Sequence, residues 1–290
     1  MSGLNKEVYI RLIMEQFYEE PTFLNVVRDM TAFVENDAIN LAAAGVTPAV
    51  LKNNNTYPLS IANISDSAIR LPLDKFSTTP SLITIDQKQK YAFSKVESDT
   101  MLHTQALREN CGEEAAYNYS PQADALRSPV LRATGTAASH GNKLTKADVL
   151  SLKTRFDKAK IQKTGRYLVL CPEHCADLMN EDADSFNTVT NIEAGVIGRI
   201  WGFNIMEYND VAYYNSAAGT KIALGATPVP GTDAISSFAF QNMEVMKADG
   251  SIDVNIDTGR PQYDGGTIIN ANKFFIGLNL RGAGIGAIHS

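Results

Sequence analysis

The sequence is poor in the residues that carry chemistry. Its 290 residues include four histidines, three cysteines and one tryptophan. The cysteines, Cys111, Cys171 and Cys175, are odd in number, so free thiols in a reducing compartment are expected rather than a disulfide framework. No apolar run approaches the roughly 20 residues that a membrane-spanning helix needs. The first residues lack a basic segment followed by an apolar core, so no secretory signal is expected. Positive charge is not in excess either. Lys and Arg number 26 against 32 Asp and Glu, for a net charge of -6 and a pI of about 5.3, which argues against a nucleic-acid-gripping surface. The remainder is an ordinary globular composition, 44% hydrophobic and 20% charged, sufficient for one large domain or two small ones.

The few chemistry-bearing residues form no convincing site. Cys171-Pro172-Glu173-His174-Cys175 has the right ligand types for zinc, because thiolate and imidazole are its preferred donors. It is a single cluster without a second Cys/His pair, and buried thiols beside a Pro-started helix are enough to account for it. Gly195, Gly198 and Gly202 follow a helix and precede a strand, the reverse of the strand-then-helix order of a dinucleotide loop. None of His103, His140, His174 and His289 has a neighbour completing a nucleophile motif. Trp201 reads as a core residue, and Glu97, Asp99, Asp182 and Asp184 read as solvated carboxylates. No catalytic, cofactor-binding or metal-ligating residue is assigned, and an enzyme is not expected.

The informative stretch is Ala68 to Tyr119. Ile69, Leu71 and Leu73 alternate with Arg70 and Asp74, a turn is expected at Ser77-Thr78-Thr79-Pro80, and Ile83 and Ile85 flank Thr84. This predicts an extended hairpin over residues 68–87. A lone hairpin is marginal in water, so its apolar face needs cover from elsewhere. A long helix is predicted from about Lys95 to Tyr119, opened by Ser94 and Glu97 at capping-box spacing. Its stripe of Phe93, Val96, Thr100, Thr104, Leu107, Cys111 and Ala115 is thin, and Gly112 is a candidate bend.

Upstream, residues 5–18 predict an amphipathic helix with Tyr9, Leu12, Ile13 and Phe17 on one face, ended by Pro21. A second short helix is predicted with Phe23, Val26, Val27, Met30 and Phe33 or Val34 inward, and then mostly loop from Asp37 to Asp66. Downstream, Thr145 and Asp148 predict a helix start, followed by a face of Val149, Leu152, Phe156 and Ala159. Residues 167–170 predict a buried strand, and Pro172 the start of a helix to about Met179. A strand is expected through Ile200, Phe203 and Ile205, and a small one at Ile222-Ala223-Leu224. Residues 238–246 are ambiguous between strand and helix. Alternation at Ile252, Val254 and Ile256, and from Phe274 to Leu280, predicts a β-rich end.

The strand–Pro–helix unit Arg166-Tyr167-Leu168-Val169-Leu170-Cys171-Pro172 carries a likeness. So does Gly195-Val196-Ile197-Gly198 before Arg199-Ile200-Trp201-Gly202-Phe203-Asn204-Ile205. With the order arm, hairpin, long helix, α/β unit and terminal strands, the sequence resembles the major capsid proteins of tailed bacteriophages with the Hong Kong 97-like fold. That resemblance implies an α+β fold divided into an N-terminal arm (1–54), an extended loop (55–92), a peripheral domain with a spine helix (93–142), an axial domain (143–237) and terminal peripheral strands (238–290). It implies a structural subunit of an icosahedral head, in the virion after assembly in the host cytoplasm, with copies of itself in pentamers and hexamers as partners. Packaged double-stranded DNA would lie nearby without specific binding, alongside separate scaffolding, portal and decoration proteins, and no membrane or cofactor is involved. The residues expected at contacts between subunits are Leu71, Leu73, Phe76, Thr78, Thr79, Pro80, Ile83 and Ile85 of the loop, with Tyr9 and Phe17 of the arm. An encapsulin-like nanocompartment shell is the alternative within the fold. A metal-dependent α/β enzyme using Cys171, His174 or Cys175 is the alternative outside it.

Overall fold

The computed structural model describes residues 21–35, 38–43, 55, 67–90, 95–181, 196–259, 261–263 and 265–290. In chain order, 3-10 turns Thr22–Val26 and Thr31–Phe33 alternate with β1 (Arg28–Asp29) and β2 (Val34–Glu35). Then come β3 (Ala38–Ala43), β4 (Ser67–Pro72), β5 (Asp74–Ser77), β6 (Ser81–Ile83), α1 (Ile85–Lys90) and α2 (Lys95–Tyr119). The middle of the chain supplies β7 (Val130–Arg132), β8 (Ala137–Ala138), β9 (Gly141–Asn142), α3 (Lys146–Lys158), β10 (Arg166–Leu170), α4 (Pro172–Glu181), β11 (Gly198–Ile200), β12 (Phe203–Glu207) and β13 (Tyr213–Asn215). It closes with β14 (Asp233–Gln241), β15 (Val245–Thr258), β16 (Thr267–Asn279) and β17 (Ile285–His289).

Two sheets carry the architecture. A seven-stranded sheet runs β11-β12-β10-β14-β17-β7, with β13 on β14. A five-stranded sheet runs β1-β15-β16-β5, with β6 also on β16, and a smaller sheet runs β2-β3-β4. The helix α2 is as long as its spacing predicts, but its buried stripe is His103, Leu107, Cys111, Ala115 and Tyr119, at steps of four. Thr100 and Thr104 instead turn their hydroxyls onto the carbonyls of Val96 and Thr100, four residues back. On α3, Thr145 and Asp148 form the expected capping box, and Val149, Leu152 and Phe156 are buried.

Several local expectations are corrected. Residues 68–87 are not a self-paired hairpin: β4 pairs with β3, while β5 and β6 pair in succession with β16. Alternation identifies a strand but not its partner, and the 13-residue β16 offers more edge than the short return strand could. Ile85 starts α1 instead of extending β6. The paired hairpin is β3–β4, so the loop expected from Asp37 opens with a strand. Residues 22–34 are not an α-helix. The segment finds backbone partners on the edge of β15, where Arg28 and Asp29 stand opposite Met246 and Lys247. Ile200 and Phe203 lie on opposite strands of a tight hairpin, because Trp201 and Gly202 both take positive φ (49° and 87°), the conformation of a type I′ turn. Trp201, at that turn, is half exposed and not core. Residues 222–224 form no strand, although Lys221 makes one bridge to Tyr214. Residues 238–246 resolve into the end of β14, a turn and the start of β15. Residues 5–18, with Tyr9 and Phe17, and the cap residue Ser94 lie outside the described residues.

Gly112 is not a break, since α2 is helical from end to end. It is a point of contact. A Cβ there would lie 2.6 Å from the Tyr208 hydroxyl oxygen and 2.8 Å from the Cβ of Pro21. In an open helix Gly→Ala gains about 1 kcal/mol; here overpacking should reverse the sign. We expect Gly112→Ala to lower the unfolding free energy by about 1–3 kcal/mol. A urea titration that finds the variant more stable than wild type would contradict this packing.

Candidate functional site

The loop residues expected at a contact surface divide by burial. Leu73 and Ile83 are buried within the chain, and Leu71 packs beside Leu73 on a cluster with Met30, Ile39 and Met246. Phe76 is half-buried and edge-on to Phe275, with a centroid distance of 6.4 Å. Thr78 is pinned to β16: its amide donates to Ala271 O at 2.9 Å, and its hydroxyl oxygen accepts from the Ala271 amide at 2.9 Å. Thr79, Pro80 and Ile85 are exposed, as is Leu82 between them. The intramolecular cover that the isolated hairpin lacked is therefore supplied for Leu73 and Ile83 by β16 and its neighbours, and a smaller exposed set remains.

Between residues 76–81 and α2 lies a cavity of about 470 Å³ that includes Ser81, Asp99 and His103. The Ser81 hydroxyl donates to the Asp99 carboxylate, and His103 Nε2 lies 2.9 Å from Ser81 Oγ and 3.8 Å from Asp99. These are the residue types of a hydrolase triad in the wrong arrangement. A relay needs the carboxylate on the ring nitrogen opposite the serine, whereas here both groups meet the same nitrogen. The cluster clamps β6 to α2.

A second surface lies on β15. Its ladder with β16 shifts between Asp249, opposite Phe275, and Ile252, opposite Lys273. Three residues on β15 thus face two on β16, a β-bulge. Before the bulge, Met246 and Ala248 face the cluster under β3 and β4, and Asp249 faces α2 along with Phe275. The extra residue reverses the parity. Ile252, Val254 and Ile256 consequently stand on the α2 face, opposite Lys273, Ala271 and Ile269. Ala271 and Ile269 are fully buried, yet Ile252, Val254 and Ile256 are 52%, 39% and 49% exposed. The strip was legible as alternation, but nothing in the sequence marked the bulge or the unpaired edge.

The Cys/His cluster is a packed one. Cys171 ends β10, and α4 carries His174 and Cys175; all three are buried. His174 has Nδ1 2.7 Å from Ser237 Oγ and Nε2 2.7 Å from Ser290 Oγ. A neutral imidazole, one nitrogen donating and the other accepting, satisfies both hydroxyls. Burial pushes the Cys171 and Cys175 thiols up to about 12, far from the thiolate that zinc requires. Among the described residues, no three His, Cys, Asp or Glu side chains are grouped as metal ligands, and no helix is long and apolar enough to cross a membrane.

Burial also holds His174 down at about 4. An unfolded histidine takes its proton near 6.5, so as pH falls below that value the unfolded chain gains protons and the folded chain does not. The resulting loss grows to about 3 kcal/mol by pH 4. Denaturant titrations at pH 7 and pH 4.5 should show this slope for wild type and a shallower one for His174→Gln. Equal slopes would remove His174 as its source.

No family model matches the sequence, and no curated protein matches it. Solved structures do. A chain of Mycobacterium phage Che8 is 19% identical, with 94% of this chain and 92% of that one covered at a TM-score of 0.65. The capsid structure of cyanophage P-SCSP1u matches at 14% identity, 95% and 89% coverage, and a TM-score of 0.66. The capsid of the native GTA particle matches at 12% identity, 95% and 92% coverage, and a TM-score of 0.66. Each likeness covers nearly the full length of both chains, and this chain has the α+β, Hong Kong 97-like fold.

Proposed function

We propose that the chain is a major capsid protein: a structural subunit that assembles with copies of itself, as pentamers and hexamers, into the icosahedral head of a tailed phage around double-stranded DNA. The observation that carries this reading is the extent of the structural likeness, 95% of this chain against 92% of the GTA capsid chain. The acidic balance of the chain, -6, is compatible with a wall that lies near DNA without gripping it.

In this reading the five-stranded sheet and α2 form the peripheral part, the seven-stranded sheet with α3 and α4 the axial part, and residues 1–54 the arm. The extended loop, residues 55–92, is anchored where β4 pairs with β3 of the arm, and reaches the next subunit. Thr79, Pro80 and Ile85, which are exposed beside it, are the loop residues best placed for contact, with Tyr9 and Phe17 contributed by the arm. Each contact can be weak, because closure of a symmetric shell makes many of them at once.

Purified protein is expected to form rings or megadalton particles in negative-stain images. A uniform monomer of 31.5 kDa across salt and concentration would contradict the assignment. Replacing residues 46–64 with a short Gly-Asn turn should leave the thermal midpoint of the subunit unchanged and abolish particles. Particle yield equal to wild type would show that the β3–β4 loop is not the connection between subunits.

A further inference from the structure

Ser81, Asp99 and His103 fail as a proton relay because hydroxyl and carboxylate meet the same ring nitrogen. That convergence is what a cation requires. His103 Nε2 lies 2.9 Å from Ser81 Oγ and 3.8 Å from Asp99 Oδ2, and the Ser81 hydroxyl donates to that same carboxylate oxygen. Three lone-pair atoms therefore stand around one point. Ligands about 2.1 Å from a shared metal are about 3.0–3.4 Å from each other. The nitrogen–hydroxyl distance is already close to that range, and the nitrogen–carboxylate distance reaches it by closing roughly 0.4 Å, a small side-chain rotation. The Ser81–Asp99 pair opens as the metal takes the place of the shared proton.

Two fixed elements hold these atoms. Asp99 and His103 are about one turn apart on α2, the i, i+4 spacing by which one helix presents two ligands to one metal. Ser81 is set on β6, where it stands opposite Ile269 of β16. The Asp99 and His103 side chains are only 14% and 10% exposed, yet both line the cavity of about 470 Å³, which has room for water to complete a coordination shell. Among the described residues, no Lys or Arg lines this cavity, so no positive side chain in its lining opposes a cation.

We propose that Ser81, Asp99 and His103 form a binding site for a divalent transition-metal ion. The carboxylate oxygen, the imidazole Nε2 and the hydroxyl oxygen are its ligands, with water in the remaining positions. One imidazole beside two oxygens selects Ni²⁺, Co²⁺ or Zn²⁺ over Mg²⁺ and Ca²⁺, which take oxygen ligands. Without the ion, the Ser81 proton goes to Asp99, so Nε2 carries the ring proton and donates to Ser81 Oγ. With the ion bound, Nδ1 carries that proton and the Nε2 lone pair goes to the metal. The ion joins β6 to α2 where hydrogen bonds alone otherwise join them. The inference is separate from the shell reading, because the site is complete within one chain whether or not particles form.

The probe is Ni²⁺, titrated calorimetrically into the untagged full chain. Binding is expected, with a dissociation constant raised more than about tenfold in His103→Gln and in Asp99→Asn, since losing a direct ligand costs at least as much as losing an outer-shell partner. His140→Gln, at the other His–Asp contact, is the control and should bind as wild type does. Absence of binding by wild type overturns the proposal, as does binding by His103→Gln or Asp99→Asn as tight as wild type, or loss of binding in His140→Gln. A second measurement needs no variant to fold. In wild type, Ni²⁺ should slow amide hydrogen exchange in residues 81–83 and 99–103 and leave the β8–β9 hairpin around His140 unchanged. Protection confined to another part of the chain would place the ion elsewhere and overturn the site. So would equal protection by Mg²⁺ at the same concentration, which would make the response one of general charge screening.

Discussion

The structure depends on how closely the second half of α2 can approach two sheets at once. Cys111, Gly112, Ala115 and Ala116 give that half a face with almost no side-chain volume, and all of these that have a side chain are buried. Phe275 of the five-stranded sheet and Val169, Met206, Phe238 and Phe240 of the seven-stranded sheet join the same core. Phe23, before β1, enters it edge-on to Tyr119, Tyr208 and Phe238 at centroid distances of 6.1, 5.0 and 5.4 Å. Tyr119 closes the helix and donates its hydroxyl to Met246 O on β15 at 2.9 Å. Large residues come from the sheets and small ones from the helix, so the volumes interlock at native density. A bulkier helix face would push the sheets apart and expose that whole aromatic core.

Toward its start, the buried stripe of α2 lies outside that shared core, and its contacts change character. The stripe there is His103 and Leu107, supported by the clamp among Ser81, Asp99 and His103. This half has one covered side and one open side. The bulge at Gly250 and Ser251 turns the open side into an apolar surface. Gly250 is required there, because a Cβ would meet that of Phe274 at 2.6 Å. With regular pairing, Ile252, Val254 and Ile256 would share a face with Met246 and Ala248, and Asp253 and Asp257 would turn toward the helix. One inserted residue therefore decides whether the outer half of β15 presents branched apolar side chains or carboxylates beside α2.

Much of this was legible in the sequence where the signal is local. The boundaries of α2, the Thr145–Asp148 capping box, the buried strand at Tyr167–Leu170, the Pro172 helix start and the terminal strands all follow from period and punctuation. The errors share one cause, which is that pairing partners are chosen by tertiary context. Residues 22–34 have apolar spacing fit for a helix, yet the edge of β15 recruits them as strand and 3-10 turns. Ile83 is a strand residue covered by the pairing of β6 with β16, and Leu73, between β4 and β5, is covered by Met30, Ile39 and Met246. The Trp201–Gly202 turn inverts its reading for a related reason: a run that looks like one strand is folded back on itself by two residues of positive φ.

The residues with chemical potential are held in structural roles. His174, the most activated-looking side chain in the sequence, spends both ring nitrogens on serine hydroxyls, and burial keeps it neutral. Cys171 and Cys175 are held as thiols by the same burial. Ser81, Asp99 and His103 share one ring nitrogen, which leaves no vector for a proton relay. The two histidines tie separate elements together: α4 to β14 and to Ser290 after β17 for His174, and β6 to α2 for His103. Buried polar groups with every partner satisfied fix orientation more than they add stability. His103 and His174 both sit at such points between elements.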